Sequence, residues 1–188
     1  KEAAGVRLSE DVEVKIRLID CVGYMVNGAQ GHMEGEEERM VKTPWFDQEI
    51  PFTQAATIGT QKVIREHSTL GVVVTTDGTI GELDRTAYVE AEARTIRELK
   101  EIGKPFVVLL NSMRPLSKET KELGKKLEEK YKVPVIPVNC EQIKEEEIHE
   151  IMRQILFEFP VSEVEFYLPK WVEMLPEDHK IKTDLLSK

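Results

Sequence analysis

The sequence predicts an α/β fold built on a parallel sheet, and three observations carry that reading. Continuous apolar runs at 70–74, 106–110 and 133–138 have the composition of strands buried on both faces. Charged stretches long enough for about three or four helical turns lie around them, at 53–66, 86–102, 118–131 and 145–157. Strand and helix therefore alternate, the order that gives a parallel sheet with right-handed crossovers.

Along the chain, the opening residues Lys1 to Gly5 lead almost at once into a strand without an initiating Met, so the sequence reads as a fragment of something longer. Val12, Val14, Ile16 and Leu18 alternate with Glu13, Lys15 and Arg17, the period of a strand with one polar face, which continues into Ile19 and Asp20. Val6 and Leu8 are its expected partner across a turn at Ser9, Glu10 and Asp11. Residues 28–51 are rich in Gly and acid, with Glu34, Gly35, Glu36, Glu37 and Glu38 in succession, and read as a mobile loop ended by Trp45 and Phe46. Beyond Pro160 the alternation of Val161, Val164, Phe166 and Leu168 marks a change of pattern, which divides the chain into a domain at 1–160 and the start of another at 161–188.

Charge and composition remove several function classes. The 188 residues hold 26 Lys and Arg against 35 Asp and Glu, a net charge of −9 without a local basic patch, which argues against a nucleic-acid partner. No apolar run approaches the roughly 18 residues of a membrane helix, and the amino end has no signal-peptide pattern. Cys21 and Cys140 sit in apolar segments without zinc or disulfide spacing, as expected in a reducing cytoplasm. His32 and His149 lack ligand partners at metal spacing, and the closeness of His67, Ser68 and Asp77 in sequence makes no triad.

Parallel sheets bind ligands beyond the carboxyl ends of their strands, so the candidate chemistry lies at 20–23, 75–81, 111–115 and 139–142. In Ile16-Arg-Leu-Ile-Asp-Cys-Val-Gly23 an apolar strand ends in an acid, with a Gly three positions later. P-loop nucleotide hydrolases use such an Asp to orient water in a magnesium shell, and the Gly amide approaches the terminal phosphate, where a Cβ would obstruct. Asp20 and Gly23 are the catalytic candidates on this reading, with Asp20 holding Mg²⁺ through water; a turn acid followed by a turn Gly fits the same pattern. Asn111, Ser112, Met113 and Arg114 occupy the tip where GTPases place Asn-Lys-x-Asp, and Arg114 stands where the Asp would accept from guanine. A guanidinium has no acceptor, so guanine selectivity is not expected there. Asn139 and Cys140 fall where such folds pass the base and sugar, although Cys140 also suits a small buried hydrophobe. Thr75, Thr76, Asp77, Gly78 and Thr79 form a hydroxyl-rich loop that fits either a ligand contact or an Asp-Gly turn, and His67 reads as a helix-end cap.

Taken together, Ile16-Arg-Leu-Ile-Asp-Cys-Val-Gly-Tyr24, Lys42-Thr-Pro-Trp45, Glu66-His-Ser-Thr69, Gly71-Val-Val-Val-Thr-Thr-Asp-Gly-Thr-Ile-Gly81 and Glu158-Phe-Pro-Val161 closely resemble the stage IV sporulation protein A family of endospore-forming Firmicutes. The resemblance implies a P-loop NTPase-like, GTPase-like three-layer fold, here without the first strand of its sheet. It further implies an ATPase using Mg²⁺ that polymerises into the basement layer of the spore coat. The implied location is the mother-cell cytoplasm at the outer forespore membrane, with a short amphipathic membrane-anchoring peptide and other coat morphogenetic proteins as partners. On this resemblance Asp20 matches the Walker B acid and Asn111 to Arg114 a degenerate base loop. The departure is that no Gly-x-x-x-x-Gly-Lys-Ser/Thr segment occurs in these residues, so the chain alone is expected not to hydrolyse ATP. A non-catalytic coat scaffold and a GTPase with unusual base recognition are the alternatives.

Overall fold

A computed structural model describes residues 3–7, 13–159 and 169–186. Its centre is a three-stranded parallel sheet of β7 (Gly71–Thr76), β8 (Phe106–Asn111) and β9 (Val135–Val138), in the order β7-β8-β9. The register runs Gly71 beside Phe106 through Thr76 beside Asn111, then Val108 beside Val135 through Asn111 beside Val138. The carboxyl ends of β7 and β8 are thus level, and Asn111 stands opposite both Thr76 and Val138.

Alternate residues of β8 feed two separate cores, as a pleated strand covered on both sides requires. Val108 and Leu110 join Val73, Ile96, Leu99, Leu127 and Tyr131 on the face covered by α2 (Arg85–Glu101) and α3 (Lys118–Tyr131). Val107 and Leu109 join Val138, Ile151 and Ile155 on the face covered by α4 (Glu145–Phe157). Helices on both sides of a parallel sheet bear out the predicted α/β class.

The helices begin where their capping chemistry dictates. Ser117 accepts from the Thr120 N–H at 3.2 Å to start α3, which ends at Lys132 in the left-handed conformation. At α4 the Glu147 carboxylate accepts from the Lys144 N–H at 2.9 Å, and Glu145, Glu146 and Glu147 together favour the positive end of the helix dipole. The first helix, α1 (Phe52–Lys62), continues into a wider π-type turn over Val63–His67. His67 does not cap that end. Lys104 does: its ammonium donates to the carbonyls of Ile64, Arg65 and Ser68, and a flexible cation reaches three carbonyls that one imidazole cannot.

The segment at 28–51, expected to be a mobile loop, is instead structured as two hairpins. β3 (Met33–Glu34) pairs with β4 (Glu37–Glu38), and β5 (Met40–Thr43) pairs with β6 (Phe46–Pro51), all antiparallel. The acid run is not simply solvated, because Glu38 accepts from both the backbone N–H and the hydroxyl of Thr53 and so caps α1. Those hydrogen bonds hold the Glu38 carboxyl below its usual range. Trp45 packs against Gly59 of α1, with the Lys62 ammonium 5.7 Å from its ring centroid.

The amino-terminal strand also differs from expectation. β2 (Glu13–Ile16) pairs antiparallel with β1 (Ala4–Arg7), so Val6 lies in the expected partner strand, opposite Val14, while Leu8 and the expected turn at Ser9, Glu10 and Asp11 lie outside the described residues; the pair does not join the parallel sheet. Strand geometry ends at Ile16, so Asp20 lies in an irregular stretch beyond the strand instead of at its tip. An apolar groove of about 620 Å³ separates β2 and residues 17–19 from β7 and α4, lined by Ile16, Leu18, Leu70, Val72, Met152 and Ile155 among others. The outer edge of β7 pairs with no strand among the described residues. Val72 and Val74, which share a sheet face with Val107 and Leu109, remain exposed because that face of β7 is not covered among the described residues. The alternating stretch from Val161 to Leu168 lies outside the described residues.

Candidate functional site

The level ends of β7, β8 and β9 fasten three loops together. Asn111, closing β8, accepts from the Cys140 N–H through Oδ1 at 2.9 Å, which ties the base-side candidates on β8 and β9 to one another. Asn139 is buried and uses its Oδ1 to accept from the Glu141 and Gln142 N–H groups at 3.1 and 3.2 Å, a local Asx turn. Ser112 has no exposed surface; its hydroxyl lies 3.2 Å from that of Thr120 and accepts from the Arg114 N–H at 2.9 Å. It therefore shapes its loop from within, while the Arg114 side chain is exposed at the rim. Cys140 is exposed rather than buried, as is Cys21, because both follow strands instead of lying inside them. Partial desolvation still raises the Cys140 thiol.

Asp77 is the anchor of this end. One carboxylate oxygen accepts from the Thr79 N–H at 3.0 Å and the Thr79 hydroxyl at 2.6 Å, the other from the Thr120 hydroxyl at 2.9 Å. Burial opposes its ionisation, yet hydrogen bonds led by Ser112 and Thr79 outweigh that and hold the carboxyl below its usual range. Thr79 in turn accepts from the Met113 N–H at 2.9 Å, so the loop after β7 is bonded to the loop after β8 as well as, through Asp77 and Thr120, to α3. Gly78 makes the turn possible: its φ is +88°, and an added Cβ would lie 2.8 Å from the Arg85 nitrogen.

The other half of the candidate site is the segment from Asp20 to Tyr24. Asp20 is exposed, and its carboxylate is engaged by no described residue, as suits an acid that holds water around a cation. Gly23 has φ +81° and open space where a Cβ would be, so backbone conformation rather than crowding explains the glycine here. Its N–H donates to the hydroxyl of Thr60 on α1 at 3.1 Å. Tyr24 is buried, donates its hydroxyl to Glu98 of α2, and carries the Arg94 guanidinium 4.0 Å above its ring. Burial, followed by the Glu98 bond and charge, pushes this phenol upward. Sequence reading missed Thr60 and Tyr24, because a single Thr on a helix and a lone aromatic after a Gly carry no pattern.

No hydrogen bond or ion pair joins the Asp20–Tyr24 segment directly to the Asp77–Asn111–Cys140 cluster among the described residues, and no three His, Cys, Asp or Glu side chains converge there on a metal position. ATP and Mg²⁺ fit the residues in part: a free acid, a flexible glycine amide and polar strand ends are present. The phosphate-cradling motif is not within these 188 residues.

Comparison with known proteins decides the family. Residues 1–160 match the family model described as stage IV sporulation protein A, ATPase domain. The chain belongs to the stage IV sporulation protein A family. It is 49% identical over 182 residues to stage IV sporulation protein A of Clostridioides difficile (strain 630), covering 97% of this chain and 37% of that protein. It is 50% identical over 181 residues to the protein of that name from Bacillus subtilis (strain 168), covering 96% and 37%. The Bacillus anthracis relative is 49% identical over a similar span. The chain thus spans little more than a third of the relatives it matches, chiefly in the family's ATPase domain. No helix among the described residues is long and apolar enough to cross a membrane.

Proposed function

We propose that this chain is the larger part of an ATP-hydrolysing domain whose turnover drives self-assembly into the basement layer of the spore coat. The observation that carries the reading is the match of residues 1–160 to an ATPase domain. Asp20 then orients water in the shell of Mg²⁺, and the Gly23 amide turns toward the terminal phosphate. Asn111, Ser112, Arg114, Asn139 and Cys140 build the base side, Asn111 and Ser112 by fixing the loops and Arg114 by withholding a guanine acceptor. The phosphate-binding loop is supplied by a segment outside these residues, and the strand that carries it fills the groove between β2 and β7. The unpaired edge of β7 and the apolar lining of that groove support this. By itself the 188-residue chain is expected to be inactive.

The polymer is proposed to lie on the mother-cell face of the outer forespore membrane, recruited by a short amphipathic membrane-anchored peptide and joined by other coat morphogenetic proteins. The test is magnesium-dependent phosphate release from ATP and GTP, by this chain and by a longer protein that carries it behind a Gly-x-x-x-x-Gly-Lys-Ser/Thr segment. Release from ATP by the longer protein alone, abolished by Asp20→Ala, is the expected result. Silence in both favours a non-catalytic coat scaffold, and preference for GTP favours a conventional GTPase.

A further inference from the structure

The Gly23 amide has one proton to give, and in this structure it gives it to Thr60 Oγ1. Thr60 is 2% exposed, so its hydroxyl is an acceptor held inside the fold. The bond spans 37 positions of sequence and is the contact that fixes the Gly23 backbone to α1. A terminal phosphate approaching the same amide has to displace the threonine, because a single N–H does not serve two strong acceptors in different directions. Gly23 can make that exchange. Its φ is +81°, and glycine tolerates either sign of φ. The residue after it is held hard, Tyr24 being buried beneath Arg94 and bonded to Glu98. The segment is thus pinned on the Tyr24 side, next to the Gly23 amide.

We propose that Thr60 is a positioning residue that holds the Gly23 amide in a resting orientation, so that a nucleotide carrying a terminal phosphate binds at the cost of opening this latch. The inference rests on the ATPase reading and adds to it a selectivity consequence. A nucleoside diphosphate has no third phosphate to claim the amide, leaves the latch closed and does not meet the cost. The latch therefore narrows the preference for triphosphate over diphosphate, and removing the acceptor widens it.

The test uses the full-length protein and measures equilibrium affinity for a non-hydrolysable ATP analogue and for ADP, both with Mg²⁺. Thr60→Val keeps the shape and removes the acceptor. It is expected to tighten the analogue by about two- to tenfold, the span of one net hydrogen bond, while ADP affinity stays constant. Thr60→Ala removes the same acceptor without adding a buried methyl clash and is expected to move the ratio in the same direction. Thr60→Ser restores the acceptor and returns the ratio to that of the parent. An unchanged or reduced analogue-to-ADP ratio in the Val and Ala variants overturns the latch, as does equal tightening of both nucleotides, the mark of a merely structural effect. Failure of the parent protein to bind or turn over ATP overturns the ATPase reading and this inference with it, and is told apart because it appears before any substitution at Thr60.

Discussion

Glu92 is a carboxylate in the core, and removing it tests whether the polar strut behind β7 stabilises the domain. Its side chain is 2% exposed, with the Arg85 guanidinium at 2.6 Å and the Tyr131 hydroxyl at 2.8 Å. Arg85 also donates to Thr75 at the end of β7 at 3.1 Å, so the acid links α2, α3 and the strand that leads into Asp77. Glu92→Met deletes the acidic partner that the described residues give a guanidinium that is itself 18% exposed, and strips the Tyr131 hydroxyl of its acceptor. Breaking a buried ion pair from one side costs about 3–5 kcal/mol, against a total stability on the order of 5–15 kcal/mol for a domain. For a chain of this size the melting temperature should fall by roughly 6–20 °C. Urea unfolding followed by circular dichroism measures the loss. Arg85→Met should cost a comparable amount, and the double variant should cost less than the two together by about 1–3 kcal/mol, because an apolar pair leaves no orphaned charge. A single-variant loss under about 1 kcal/mol, or strict additivity of the two, would refute the strut.

Two further outcomes follow from the loop beside it. Asp77 is held below its usual range in the fold, so its ionised form stabilises the protein above an unfolded value of about 3.9, and that contribution fades as pH falls through the lower folded value. The stability gap between the parent and Asp77→Asn, from urea unfolding at stepped pH, should therefore be open at neutral pH and narrow toward pH 3; a gap independent of pH would contradict the assignment. Gly78→Ala places a Cβ 2.8 Å from the Arg85 nitrogen at φ +88°, which should cost about 1–3 kcal/mol in the same assay, and a neutral result would mean the turn is not held as described.

The parts of the molecule that could be read in the sequence are those governed by neighbours along the chain. α3 and α4 begin and end as predicted because the periodicity of their charged outer positions is a local signal. The strands of the parallel sheet are legible for the same reason, being apolar runs bounded by polar tips. The hairpins within 28–51 were not, because Gly and Glu describe a turn and a solvated face equally well; what orders them is Glu38 reaching Thr53 and Trp45 reaching Gly59. Alternation in β2 identified a strand and Val6 its partner, but nothing local says whether that pair joins the parallel sheet, so its place outside the sheet could not be read. Thr60 is the extreme case, since everything that matters about it lies 37 positions away.

The two halves of the candidate site share no direct bond among the described residues, yet one helix holds both. α2 begins at Arg85, whose guanidinium is bonded to Thr75 on β7 and to Glu92, while Glu92 fixes α3 through Tyr131. Two turns further along, Arg94 and Glu98 grip Tyr24, and Gln61 of α1 reaches Glu98 at 3.4 Å. A change at Gly23 that reorients Tyr24 must either break the Glu98 bond or carry α2 with it, and moving α2 strains the Arg85 contact behind the Asp77 loop. Packed cores respond to such strain by switching between discrete arrangements rather than by bending continuously. The helix between the two clusters, with Arg85 at its start bonded to β7 and Arg94 and Glu98 in its second half holding Tyr24, is therefore the element through which opening the Thr60 latch would reach the ends of β7 and β8.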